Sequence, residues 1–281
     1  MIYQNGKKIG SIKVIESAYM GASKKFKASK GLSLQPLKSV TITQNGTTNV
    51  LPDEGFDGMQ SVDVEVEVPV PKEPYTEETY DDNGNLIDAV MHGYTAIRER
   101  FFYNCSRLAL TSLPEGLTSI AGYAFSNCSR LALTSLPEGI TSIAGYAFYG
   151  CSRLTLTSLP EGITSIAGSA FSNCSSLALT SLPEGITSIE SNVFYNCSRL
   201  ALTSLPEGIT SIAGYAFYGC SSLQTITFKG TPKTVDSKTF YNCNNLTEIK
   251  VPWSEGAVAN APWGATNATI IYNYTEPETE E

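Results

Sequence analysis

The hydrophobic positions of this chain recur with a fixed period of 23 residues. One complete unit, Leu131–Arg153, reads LALTSLPEGITSIAGYAFYGCSR. A period of this length predicts a solenoid of short coils, and a single coil cannot bury its own apolar face. Stacking the coils therefore forms one continuous core. The apolar positions of the unit are Leu131, Leu133, Leu136, Ile140, Ile143, Ala147, Phe148 and Cys151.

Three short elements are predicted within each coil. Leu131–Leu133 alternates between apolar and small residues, which indicates a strand that ends before Pro137. Ile140–Ile143 is expected to form a second short extended piece. Phe148 and Cys151 are three positions apart, a spacing that suits one inward-facing helical turn.

The cysteines follow the same period, one in each coil. In stacked coils their Cα–Cβ bonds run parallel, so the Cβ atoms stay too far apart for a disulfide and the thiols cannot converge on a metal. We therefore expect seven reduced, buried thiols that act as small hydrophobic groups. They are Cys105, Cys128, Cys151, Cys174, Cys197, Cys220 and Cys243.

Residues 1–70 have a different hydrophobic pattern, in which apolar and polar residues alternate with period 2 and turn residues interrupt the alternation. Val40–Thr43 precedes the turn residues Asn45 and Gly46, Val62–Val66 alternates cleanly, and Ile12–Ile15 alternates weakly. This pattern predicts antiparallel strands. Residues 1–50 carry eight lysines against one acidic residue. Because the lysines are scattered among few aromatic residues, we read them as a solvated face and expect no nucleic-acid binding.

A proline-rich linker, residues 68–74, separates this module from the repeats. Asn83 and Gly84 then indicate a hairpin turn that covers the first coil. The acidic loop around it is not an EF-hand, since Leu86 stands where glycine is required. The predicted organisation is a β-rich anchoring module at 1–70, a linker and N-terminal cap hairpin at 71–90, a solenoid at 91–250, and a C-terminal cap with an acidic tail at 251–281.

The predicted fold is thus mainly β with short helical turns: an antiparallel N-terminal module, then about seven coils with terminal caps. The chain is 42% hydrophobic and 16% charged with a net charge of −8, as in a globular protein. It contains no run of 18 apolar residues, so we expect no membrane insertion. The start lacks the order of a secretory signal.

Little in the sequence supports catalysis. The single histidine, His92, takes the place of Glu115 in the next unit, which puts it on a solvated turn rather than beside a nucleophile. No glycine-rich phosphate loop is present. We therefore expect neither enzymatic activity nor a cofactor or metal.

The units differ mainly at three positions predicted to point outward. Tyrosines stand on either side of the phenylalanine, and arginines follow two residues after the cysteine. Aromatic residues and arginine dominate binding hot spots, and tyrosines also stack on sugars; the alternative is a merely solvated rim. The candidate ligand-binding residues are Tyr123, Tyr146, Tyr149, Tyr195, Tyr215, Tyr218, Arg107, Arg130, Arg153 and Arg199.

The elements Leu-x-Leu-x-x-Leu, Ile-x-x-Ile and Ala-Phe-x-x-Cys resemble the BspA-like class of leucine-rich repeats over about residues 86–251. They depart from the pattern Leu-x-x-Leu-x-Leu-x-x-Asn, so full helices are not implied. The resemblance implies a surface protein of bacteria or protists, or a phage-encoded one. The ending, with Trp253 and Trp263, is similar to the closing cap of that class, and Trp263 is suited to cover the last coil.

Thr41–Thr47, Gly55–Gly58 and Val62–Val66 together resemble a small β module of phage and prophage structural proteins. This resemblance implies contact with virion or tail components through residues 1–70. Our leading hypothesis is accordingly a virion-located, tail-associated receptor-binding protein, made in the bacterial cytoplasm, that attaches to a host. The alternative is a BspA-like adhesin on the bacterial surface. Either would bind a cell-surface protein or glycan, and homo-oligomers are compatible with both.

Overall fold

The computed structural model describes residues 74–276 throughout and, within residues 1–73, the backbone of six strands. The chain divides into two compact units, Met1–Glu73 and Pro74–Glu281. None of the described residues is helical, so strands and turns make up the whole of the described architecture. The predicted fold class, an antiparallel N-terminal part followed by a parallel solenoid, is confirmed.

The first unit contains three antiparallel pairs: β1 with β2, β3 with β6, and β4 with β5. β4 and β5 pair in antiparallel with Gln44 opposite Thr47, while the turn predicted at Asn45 and Gly46 lies outside the described residues. The strand predicted at Ile12–Ile15 lies outside the described residues. The six strands are β1 (Ile2–Gln4), β2 (Lys7–Gly10), β3 (Lys24–Lys27), β4 (Val40–Gln44), β5 (Thr47–Leu51) and β6 (Asp63–Val66).

An antiparallel hairpin, β7 (Tyr75–Tyr80) and β8 (Leu86–His92), opens the second unit. The Asp81 carboxylate closes its turn by accepting hydrogen bonds from the backbone N–H groups of Asn83 and Asn85, at 3.0 and 2.9 Å. The Ala109 N–H donates to the Ile87 carbonyl at 2.9 Å. The hairpin therefore covers the open end of the first coil.

The solenoid has about eight turns, and its short strands pair in parallel with a register of 23 residues. Ser119 pairs with Ser142, for example, and Ser142 with Ser165. The strands are β9 (Ala96–Ile97), β10 (Ser119–Ile120), β11 (Ser142–Ile143), β12 (Ser165–Ile166), β13 (Ser188–Ile189), β14 (Ser204–Leu205), β15 (Ser211–Ile212), β16 (Thr225–Phe228), β17 (Thr234–Val235), β18 (Glu248–Lys250) and β19 (Thr269–Ile271).

Two local predictions need adjustment. Leu131 and Leu133 are buried and Ala132 is half-buried, as alternation requires, but Leu131–Leu133 forms no strand. One backbone bond, from the Ala132 N–H to the Leu110 carbonyl at 3.0 Å, links it to the preceding coil. The inward turn at Phe148–Cys151 is present, but its bonds run from residue i to i−3, so it is a series of turns without a helix.

A column of phenylalanines fills the solenoid core. Phe148, Phe171 and Phe194 are fully buried, and successive rings lie 5.4 and 5.9 Å apart and nearly parallel. Each coil thus packs its largest side chain only against the coils before and after it. This is the nearest-neighbour arrangement expected of a repeat protein.

The cysteine ladder is confirmed, with two differences from the prediction. All seven thiols are free, but Cys105 in the first coil is only half-buried. The other six do more than fill space, since each Sγ–H donates to the carbonyl of the phenylalanine 26 residues earlier. These S···O distances are 2.9 to 3.1 Å, as between Cys174 and Phe148 at 3.0 Å.

Aromatic residues cover the last coils. Trp263 is fully buried, and its indole N–H donates to the Ala259 carbonyl at 2.7 Å. Its ring lies 5.7 Å from that of Phe228, and Trp253 lies 5.3 Å from the same ring. These contacts remove the apolar end of the stack from water.

We predict that Phe171→Ala lowers the free energy of unfolding by about 3–5 kcal/mol, because a large side chain leaves a cavity between two rings. We also expect it to separate unfolding into two transitions, since the coils on either side lose their shared contact. Denaturant titration followed by circular dichroism measures both. A loss below about 1 kcal/mol would contradict the core position.

We also predict that stability falls at alkaline pH through the thiol ladder. Burial raises the pKa of every ladder thiol, that of Cys243 to about 12. An unfolded thiol titrates near pKa 8.5, so the stabilisation is complete below about pH 8.5 and is lost as pH rises above it.

Cys174→Ala should therefore reduce the slope of unfolding free energy against pH by about 1.4 kcal/mol per pH unit on the alkaline side of about pH 8.5. The matched control is Cys105→Ala, at the half-buried position, where a smaller reduction is expected. Equal slopes for the wild type and Cys174→Ala would contradict the account.

Candidate functional site

The tyrosines before the phenylalanines stand on a backbone that tyrosine rarely adopts. Tyr123, Tyr146 and Tyr215 have φ values of 57°, 59° and 59°, in the left-handed region. A non-glycine residue there costs about 1–2 kcal/mol. Ser169 and Asn192 hold the same conformation in the intervening coils, each with φ 59°. The turn therefore dictates the backbone, and a bulky ring is retained despite it.

The tyrosine rings stack along the solenoid in two groups. In the first group the rings of Tyr123 and Tyr146 lie 4.8 Å apart and 2° from parallel. In the second, Tyr195 and Tyr218 lie 4.4 Å apart and 4° from parallel, and Tyr241 continues the stack at 5.9 Å. The inner faces of these rings contact one another and are closed to a ligand.

Within each group the two tyrosine columns also touch. Tyr149 lies 5.8 Å from Tyr146, and Tyr218 lies 5.9 Å from Tyr215. The structure thus brings together all six predicted tyrosines as two clusters. We call them the tyrosine surface: Tyr123, Tyr146 and Tyr149 in the first cluster, and Tyr195, Tyr215 and Tyr218 in the second.

The serines in these columns do not point outward as predicted. Ser126, Ser169 and Ser172 are 2%, 6% and 3% exposed. The physical reason is their small size beside bulky neighbours in adjacent coils. The coil of Ser169 and Ser172 lies between the two clusters, and both serines stay buried there.

A cation lies over the tyrosine ring at each end of the column that precedes the phenylalanines. The Arg100 guanidinium lies 5.3 Å from the centre of the Tyr123 ring, and the Lys238 ammonium lies 5.4 Å from that of Tyr215. Sequence reasoning missed both residues. The 23-residue period could have found them, because Arg100 and Lys238 occupy the tyrosine position in the first and last coils of the column.

The predicted arginines form a separate stripe. Arg107 pairs with Asp81 of the cap hairpin at 2.9 Å. Arg130, Arg153 and Arg199 are exposed, and within residues 74–276 none of them lies over a tyrosine ring. The structure therefore does not join the arginine column to the tyrosine surface.

The phenol groups act as hydrogen-bond donors and acceptors. The pKa of Tyr195 is raised, first by desolvation and then by Tyr218, Tyr215 and Tyr149. The Asn242 side-chain amide donates to the Tyr218 hydroxyl at 2.7 Å. The surface thus offers ring edges and hydroxyl groups, which suit hydrogen bonding and apolar contact with a partner.

His92 is not on a solvated turn, contrary to the prediction. It ends β8, half-buried, with its ring stacked 4.5 Å from that of Tyr75. Its Nε2 lies 3.5 Å from the Glu77 carboxylate. The repeat alignment misplaced it because the cap hairpin replaces the coil geometry at this position. Among the described residues, no three His, Cys, Asp or Glu side chains converge as a metal site.

Comparisons with solved structures give low overall similarity. A leucine-rich repeat protein from Bacteroides ovatus is 23% identical, with a TM-score of 0.37; the match covers 63% of this chain and 58% of that one. The T. pallidum leucine-rich repeat protein is 26% identical, with a TM-score of 0.43 and coverages of 62% and 80%. A leucine-rich cell surface protein from Faecalibacterium prausnitzii is 23% identical, with a TM-score of 0.34 and coverages of 56% and 63%.

A search of curated proteins found no match. No helix in the described part of the chain is long and apolar enough to cross a membrane. The model of the BspA type leucine rich repeat region matches residues 95–205 and 188–261, which is more than half of the chain. The chain therefore belongs to the BspA-type leucine-rich repeat family.

Proposed function

We propose that this protein is a non-enzymatic recognition protein of the cell surface, of the adhesin type, and that the tyrosine surface binds its ligand. The observation that carries the proposal is the pair of stacked tyrosine clusters on the turns of the solenoid. Membership of the BspA-type family supports the general role, because repeat proteins of this class are generally binding scaffolds.

The conformational cost of holding tyrosine on a left-handed backbone supports a role for these residues in binding. Glycine or asparagine would fit the left-handed backbone with less strain, as Asn192 does one coil earlier than Tyr215. Ring stacking recovers part of that cost. The exposed fraction of Tyr146 is nevertheless 39%, which leaves apolar area unpaired in the free protein. A partner that covers these rings would recover more of it.

The chemistry of the surface favours a protein ligand over a glycan. Sugar recognition by stacking needs an open ring face, but the inner faces of the Tyr123–Tyr146 and Tyr195–Tyr218 pairs are occupied. The edges and hydroxyl groups of these pairs stay available to a partner, and tyrosine is typical of protein hot spots. We therefore propose a protein on the surface of another cell.

The cell surface is the proposed location, because the family match supports an adhesin-like protein more than a virion component. Attachment to a phage tail, our leading hypothesis from the sequence, depends on residues 1–70. The family match begins at residue 95, so it lends no support to that role. Tail attachment stays a prediction from the resemblance of residues 41–66.

We predict that changing Tyr146, Tyr149, Tyr215 and Tyr218 together to serine abolishes binding to target cells. The melting temperature should change little, since these rings lie outside the core, and Ser169 shows that serine accepts the same backbone with φ 59°. Flow cytometry with labelled protein measures binding, and a parallel array of surface proteins and glycans identifies the ligand class.

The matched control changes the same four tyrosines to phenylalanine, which keeps the rings and removes the hydroxyl groups. We expect it to retain part of the binding. Bulky substitutions at Ala132 and Ala178 test a competing face, formed by the small residues that precede the Pro-Glu-Gly turns. Normal binding by the serine variant together with loss of binding by the alanine variants would move the site to that face.

A further inference from the structure

A narrow exposed face runs along the solenoid between Arg130 and Glu138 and their equivalents. In this coil Leu131 and Leu133 point inward, while Ala132 is half-buried and Thr134 is exposed. The outward residues are small from Ala109 to Thr203, as in the equivalents Ala178 and Thr180, whereas the next coil carries Gln224 at this position. This small-residue face permits another backbone to approach closely, but its composition alone does not identify a partner.

Charge borders this face on both sides. A basic stripe of exposed arginines runs along one border, and an acidic stripe of exposed glutamates from the Pro-Glu-Gly turns runs along the other. Within residues 74–276, none of the six side chains below has an opposite charge within 4.0 Å. The basic stripe is Arg130, Arg153 and Arg199; the acidic stripe is Glu138, Glu161 and Glu207.

The two stripes change together along the chain. Where serine replaces arginine at Ser176, the glutamate of that coil, Glu184, is neutralised within the chain by Lys229 at 2.8 Å. Where serine replaces arginine at Ser222, the glutamate position is taken by Gly230. From the second coil onward, the coils that keep an arginine without an ion pair are therefore those that keep a glutamate without one.

The first coil, which contacts the cap, is an exception. Arg107 is paired with Asp81 of the cap at 2.9 Å, and Glu115 of the same coil has no ion pair within the described residues. An ion pair between the arginine and the glutamate of the same coil does not explain the correlation, because the two side chains lie on opposite borders of the face. A symmetric partner that spans the face explains it.

We propose that the small-residue face docks on the same face of a second copy of this chain. A two-fold axis parallel to the solenoid axis lays the basic stripe of one copy on the acidic stripe of the other. Coils then meet in register, because the axis preserves position along the solenoid. Arg130 faces the turn of Glu138 in the other copy, Arg153 that of Glu161, and Arg199 that of Glu207.

A two-fold axis perpendicular to the solenoid axis and lying in the face would place arginine against arginine, so the charge pattern selects one symmetry. The contact is isologous and closed, which ends assembly at a dimer. Like charges one coil apart, about 5 Å, repel each other in the free chain, and the partner's stripe relieves this repulsion.

The size of the face predicts a weak dimer. Its width from arginine to glutamate and its length over four coils are roughly 25 by 20 Å, on the order of 1,000 Å² counted on both copies. This is below the usual size of stable interfaces, so we expect reversible association in the micromolar range or weaker. Exposed ion pairs are screened, so association should weaken as salt is raised.

The first test uses sedimentation equilibrium of the full chain and two charge-reversal variants. One variant combines R130E, R153E and R199E; the other combines E138R, E161R and E207R. Each alone should lose self-association, since both of its borders then carry the same charge. An equimolar mixture should associate again. Association of either variant alone at the wild-type level, or a wild type that is monomeric at all concentrations, would overturn the proposal.

The second test fixes the register with a thiol-specific cross-linker. Thr134 lies midway across the face, so the two-fold axis brings the cysteine of Thr134→Cys close to the same cysteine of the second copy. The control is Thr141→Cys, which replaces another exposed threonine of the same coil, beyond the acidic stripe. A covalent dimer of Thr134→Cys alone supports the proposal. Equal cross-linking of both variants, or of neither, rejects it and assigns any association of the charge variants to nonspecific attraction.

Discussion

Stacking between successive coils is the interaction on which the rest of this structure depends. A coil of 23 residues has an apolar face that it cannot cover, and backbone groups that it cannot pair by itself. The neighbouring coil supplies both needs, through rings such as Phe148 against Phe171 and through parallel strand pairs such as β10 with β11. The same constraint requires a cap at each end, provided by the β7–β8 hairpin and by Trp263.

The thiol ladder is a consequence of that stacking and explains why cysteine occupies a core position. The Phe148 carbonyl accepts the backbone N–H of Cys151 in its own turn at 3.1 Å and, as a second bond, the Sγ–H of Cys174 from the next coil at 3.0 Å. Alanine at this position would donate no hydrogen bond to the carbonyl. Burial keeps the thiols protonated at neutral pH, which preserves the donor.

The period alone predicts the core, because Phe171 and Leu177 must point inward wherever the repeat is kept, and both are buried. Features that depend on contacts between coils could not be predicted in the same way. Ser172 was expected outside, but its larger neighbours cover it. The stacking of Tyr195 on Tyr218 depends on ring orientation, which spacing does not specify. His92 was misplaced because the repeat register does not extend through the hairpin.

The solenoid separates its surfaces by chemistry. Turns beside the phenylalanines carry the tyrosine surface, and the small-residue face with its two charged stripes lies elsewhere on each coil, so ligand binding and self-association need not compete. The most direct measurement of the recognition role is hydroxyl-radical footprinting of the chain free and bound to target cells. Our account predicts protection of Tyr146 and Tyr218, while Tyr80, 53% exposed on the cap hairpin, keeps its reactivity. Unchanged reactivity of Tyr146 and Tyr218 on binding, with protection at Tyr80 or at no tyrosine, would contradict it.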